Sequence, residues 1–83
     1  KYIMEAKRYY KFTENDDEAN KRHKIIAVGQ LAKMIRNAEG FWVEIVDYAN
    51  DDVIVRVDNH VIDQPFKYND LIKINKKYLF YPE

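Results

Sequence analysis

The sequence predicts an α+β domain: an N-terminal strand, one amphipathic helix, then a mostly antiparallel sheet curled toward a small barrel. Three observations predict it. Ile25, Val28, Leu31, Ala32 and Ile35 recur at three- and four-residue spacing, the period of a helix face. Phe41, Val43 and Ile45 then alternate with Trp42, Glu44, Val46 and Tyr48, the period of a half-buried strand. The chain has 83 residues, enough for one compact domain spanning 1–83 and not for two.

Each element follows from local pattern. Residues 1–13 alternate at Tyr2, Met4, Ala6, Tyr10 and Phe12, interrupted by Arg8. Ile3, Ala6 and Tyr10 also fit a helical face, but the β-prone run from Tyr9 to Thr13 favours a strand. Asn15 followed by Glu18 has the spacing of a capping box. The apolar stripe then predicts a helix over 17–38, with Gly40 placed for a left-handed cap and Gly29 as a close packing contact. Its stripe is expected to bury Ile25, Val28, Leu31 and Ile35 against Phe41, Val43 and Ile45.

Strand signals fill the rest. Phe41–Tyr48 and Val53–Asp58 read as a hairpin around a four-residue turn, Ala49–Asp52. Val53, Val55 and Val57 line one face; Ile54, Arg56 and Asp58 line the other. Pro65 marks an edge or a strand end in the run 61–66. Leu71–Ile74 and Lys77–Tyr81 read as short strands.

Composition excludes chemistry. There is no cysteine and no serine, and one threonine, Thr13, so the usual hydroxyl and thiol nucleophiles are all but absent. Two glycines cannot form a phosphate cradle. The expectation is a protein that is not an enzyme, uses no cofactor and, lacking cysteine, works in the cytoplasm. No uncharged run is long enough for a membrane span. Opening on Lys1 rather than methionine, the chain reads as a trimmed or processed piece. Its Ile, Lys, Asn and Tyr usage suits an AT-rich bacterial or phage genome.

Charged and aromatic residues narrow the binding chemistry. Asp47, Asp51, Asp52, Asp58 and Asp63 face one nearby base, Arg56. Asp47, Asn50 and Asp52 could offer oxygens to calcium, but the spacing and glycine of an EF-hand are missing, so a solvated turn is the better reading and no metal site is expected. Lys21, Arg22, Lys24, Lys33 and Arg36 put five cations on the expected helix with no acid among them. Yet net charge is zero and the pI is near 6.9, unlike a typical phosphate binder. Residues 1–40 hold nine bases and six acids; residues 41–83 hold five bases and eight acids. The two halves are thus oppositely charged, and a solvated helix face is the simplest account of the cations. Seven tyrosines, four phenylalanines and one tryptophan exceed what a small core needs. Trp42 and Tyr48 fall on the same strand face, away from Phe41, and read either as a second core layer or as an interface. His23 and His60 lack convergent ligands and read as surface residues.

The segment 41–74 also carries pieces of a pattern: a tryptophan-centred strand at Trp42, Asn59 after the second strand, and Asn69–Ile72 turning into a later strand. It resembles small bacterial domain families of unknown function. In those families a Gly-Asp pair stands where this chain has Asn69–Asp70. The resemblance implies a fold more than an activity.

The function expected from these features is non-enzymatic binding of a protein, by a bacterial or phage accessory protein of immunity or inhibitor type. The candidate contact residues are Trp42, Tyr48, Lys21, Arg22, Lys24, Lys33 and Arg36. The alternative is a nucleic-acid-binding module using a basic helix over 21–36. The oligomeric state is not legible.

Overall fold

The computed structural model describes residues 3–5, 11–18 and 27–81. Five strands, β1 (Ile3–Glu5), β2 (Leu31–Arg36), β3 (Glu39–Ala49), β4 (Asp52–Val57) and β5 (Leu71–Asn75), form one mixed sheet in the order β1-β5-β4-β3-β2. β1 runs parallel to β5; every other pair is antiparallel. A 3-10 turn, Lys76–Tyr78, follows β5, and Phe80 then pairs with Lys33 on the outer edge of β2. The sheet remains open.

Two expectations are corrected here. The described residues hold no helix of seven residues or more, so the fold is not α+β, and the sheet does not close into a barrel. The second half of the expected helix is β2. Ala32 and Met34 are fully buried while Val28 is 65% and Leu31 52% exposed. The operative period is therefore two, not 3.6. The register shows why: Ala32 sits opposite Val43, and Met34 opposite Phe41, so the buried pair faces two core residues of β3. Ile35 is half-buried on the other face, opposite Gly40. Ile25 lies outside the described residues.

The two glycines change roles with the helix. Gly29 sits in a turn ahead of β2 with φ 91, its N–H donating to the Ile45 carbonyl at 2.7 Å. Gly40 is inside β3. The reversal that Gly40 was expected to cap is a two-residue hairpin turn at Asn37 and Ala38, with φ 52 and 64. Paired positive φ values match the twist of a hairpin. Ala38 bears a Cβ in a conformation that costs an L-residue about 1–2 kcal/mol. Ala38→Gly should therefore raise stability by about 0.5–1 kcal/mol, after the extra chain entropy of glycine is subtracted. A lower urea midpoint for the variant would refute that account.

The β3–β4 hairpin forms as expected, with a tighter turn. Ala49 pairs with Asp52, leaving Asn50 (φ 58) and Asp51 as the loop. Of the other expected strands, β5 forms. The run 61–66 belongs to the connection 58–70, and Lys77–Tyr81 is a 3-10 turn plus one bridge.

One face of the sheet is the core. Ile45, Val55 and Ile72 form a row that continues to Met4 across four strands. Phe41, Val43, Val53, Val57 and Ile74 are buried beside it. Among the described residues, irregular segments cover this face. Phe12, Phe66 and Leu79 insert from the segments 11–18, 58–70 and 76–81. Phe66 lies 5.2 Å from Phe41 and 6.0 Å from Phe12, centroid to centroid. Asn15 fastens the first segment: its backbone N–H donates to the Lys77 carbonyl, its Nδ2 to the Leu79 carbonyl at 2.9 Å, and its Oδ1 accepts from the Asp17 N–H. A buried amide is tolerable because such partners replace water.

Candidate functional site

The opposite face of the sheet is polar and apolar in alternate places. One row crosses all five strands: Leu31, Glu44, Arg56, Leu71, Ile3. Beside it stand Lys33 and Trp42, directly opposite each other on β2 and β3. On the far side run Asp47, Ile54, Lys73 and Glu5.

Arg56 organises the middle of this face. Its Nη2 lies 2.9 Å from Asp58 and 3.1 Å from Glu44, and its Nη1 donates to Asn69 Oδ1 at 2.7 Å. The guanidinium also sits over the Tyr68 ring, 5.8 Å from the centroid, and the His60 ring stacks against Tyr68 with centroids 5.3 Å apart. The Asp58 hydrogen bond, opposed by burial and reinforced by Glu44, raises the Arg56 pKa above its ordinary value. Arg56 is thus held between two carboxylates and an amide oxygen, its Nε and Nη2 sharing one Glu44 oxygen and its Nη2 also reaching Asp58.

Trp42 is 37% exposed, with the Lys33 ammonium 5.5 Å over its ring. Its backbone N–H donates to Asn59 Oδ1 at 3.0 Å. An indole with one face toward a cation and part of its surface open combines apolar area with a polar setting.

Tyr48 is not part of that patch. β3 carries one extra residue between Ile45 and Asp47, so the register shifts and Tyr48 stands opposite Val53, on the core-facing side. It is 46% exposed at the end of the sheet, six residues and roughly 20 Å from Trp42. The expectation that the two rings share a face is corrected by this bulge. At that end of the sheet Tyr48 also borders a hollow of about 120 Å³, lined with it by Asp52 and by the outer-face residues Asp47, Ile54 and Lys73.

The two described cations of the expected set are separated. Lys33 and Arg36 lie on β2 with an odd spacing, hence on opposite faces, so they do not form one basic helical surface. Arg36 Nη1 donates to Gln64 Oε1 at 2.9 Å. Lys21, Arg22, Lys24 and His23 lie outside the described residues. The hairpin acids are dispersed too: Asp47 accepts from the Tyr48 N–H and Asp51 pairs with Lys76 at 3.3 Å. Among the described residues no group of three His, Cys, Asp or Glu side chains could hold a metal ion. Among them, likewise, no helix is long and apolar enough to cross a membrane.

A second feature borders this face. Glu39, at the start of β3, accepts from the Ile62 N–H at 2.9 Å, from the Asp63 N–H at 3.4 Å and from Gln64 Nε2 at 2.9 Å. Gln64 Nε2 also reaches the Arg36 carbonyl at 3.1 Å. The donors, Gln64 first, hold the Glu39 carboxyl below its usual pKa. A lowered carboxylate pKa stabilises the fold above the ordinary carboxyl range, and the effect is lost as pH falls through the lowered value.

Sequence reasoning missed Arg56, Tyr68 and Ile62. Glu44 and Arg56 were both legible as outward residues of one hairpin, but counting back from the turn sets Glu44 against Val57; the extra residue between Ile45 and Asp47 shifts the register by one and brings Glu44 opposite Arg56. Nothing in the sequence marks Glu39 as the acceptor of a loop more than twenty residues away. Asn69 takes φ 75, a conformation that asparagine and glycine tolerate best. No protein-family model matches this chain, and no curated protein or solved structure is significantly similar to it.

Proposed function

We propose that this chain is a non-enzymatic binding module that engages a protein partner through the outer face of its sheet, with Trp42 as the anchor. The observation that carries the reading is the exposed Trp42 beside Lys33, next to the ordered frame of Glu44, Arg56 and Asp58. Large aromatics and arginines set among oriented charges are the residue types that carry binding energy in protein interfaces.

Charge favours a protein over nucleic acid. Among the described residues the face presents Lys33, Arg56 and Lys73 against Glu5, Glu44, Asp47 and Asp58, and these form no cationic track for a phosphate backbone. A cytoplasmic accessory protein of bacterial or phage origin, of the immunity or inhibitor type, belongs to the same proposal.

The test begins with affinity capture from the source cells, and continues with the purified partner titrated against wild type and Trp42→Ala. The variant should bind about 30-fold more weakly, the equivalent of about 2 kcal/mol, with its melting temperature nearly unchanged. Equal affinity for both proteins would overturn the reading. So would a captured nucleic acid whose affinity falls steeply between low and physiological salt.

A further inference from the structure

Ile62 is 93% exposed, the most exposed of the large apolar side chains among the described residues. A lone surface isoleucine needs no explanation. Ile62 differs because the chain on either side of it is fixed. Val61 packs against the core, and Phe66, four residues on, is buried within it. Between them the Glu39 carboxylate takes the backbone N–H groups of Ile62 and Asp63 and the side chain of Gln64. Gln64 is gripped from its other side by Arg36. The loop therefore cannot turn Ile62 inward without breaking this set of hydrogen bonds.

We propose that Ile62 is a preorganised anchor that inserts into an aliphatic pocket with a cationic rim on a protein partner. The side chain has the size and branching that such a pocket reads. The rim follows from charge: residues 58–64 carry Asp58 and Asp63 and neither lysine nor arginine. Asp58 already answers Arg56, which leaves Asp63, adjacent to the anchor, as the group a partner cation would meet. Fixing the loop in advance removes most of the ordering cost that a mobile loop would incur on binding. The inference rests on the loop and its Glu39 clamp, and it does not require the Trp42 face to be the interface.

The experiment places a photoreactive p-benzoylphenylalanine at position 62, and separately at position 42, in the full chain expressed in its source cells. The crosslinked protein is identified, purified and titrated. Ile62→Ser should weaken binding at least about 30-fold and Asp63→Lys several-fold, both with unchanged melting temperature, while Ile62→Leu stays near wild type. Glu39→Gln, which keeps the shape but weakens the clamp, should reduce affinity less than Ile62→Ser. Ile62→Ser binding within about twofold of wild type, or crosslinking from position 42 but not from 62, overturns this proposal and leaves the Trp42 reading intact. Loss on Ile62→Ser with none on Trp42→Ala supports it and overturns that reading.

Discussion

Phe41→Ala is expected to cost about 3–5 kcal/mol of stability, the range for truncating a fully buried aromatic. Phe41 has no exposed surface, and its ring meets Phe66 at 5.2 Å and Phe12 at 6.5 Å. Those three rings come from β3, from the loop 58–70 and from the segment 11–18. Removing the central one uncouples two irregular covers from the sheet at once. A domain of this length has about 4–12 kcal/mol in total, so the variant should sit close to its unfolding limit at room temperature. Urea titration followed by tryptophan fluorescence reads the change directly. Phe41→Leu, which keeps most of the volume, should lose far less. A loss under about 1 kcal/mol for Phe41→Ala would mean that the three rings do not form one core.

The same ring shows where sequence reasoning succeeds. Phe41, Val43 and Ile45 alternate with polar or exposed neighbours, and Val53, Val55 and Val57 repeat the pattern after turn residues. All six are buried. β-branched residues at period two leave no competing helical reading, so the central hairpin was legible. Residues 31–36 offered the opposite situation. Leu31, Ala32, Lys33, Met34 and Arg36 are all strong helix formers, and Leu31 with Ala32 and Ile35 completes a stripe begun at Ile25. Local propensity pointed one way, and the vacant edge of β3 decided the other. Strand formation there satisfies backbone groups of β3 and covers Phe41 and Val43, a gain of tertiary origin that no six-residue window contains.

The candidate site was legible in part. The outward placement of Trp42 was legible from the alternation of β3. The side taken by Tyr48 was not, because a single bulge residue inverts the alternation beyond it, and this bulge carries no glycine to announce it. The loop 58–70 was the least legible. Its geometry comes from side-chain acceptors distant in sequence, Glu39 above all, and from Phe66 entering a core whose other members had first to be placed.

Met34→Ala should cost about 2–5 kcal/mol, whereas Leu31→Ala should change stability by no more than about 0.5 kcal/mol. The two residues are three apart. On a helix they would lie on one face and behave alike. On a strand they point to opposite faces, and here Met34 is fully buried against the Phe41 position while Leu31 is 52% exposed beside Glu44. The pair therefore reads the backbone conformation of 31–36 through side-chain energetics. Chemical denaturation of both variants, with equal slopes to establish that the unfolded states are comparable, supplies the numbers. Similar large losses at both positions would restore a helical face in this segment. A large loss at Met34 alone requires the strand, because only a period of two buries one of these residues and leaves the other in water.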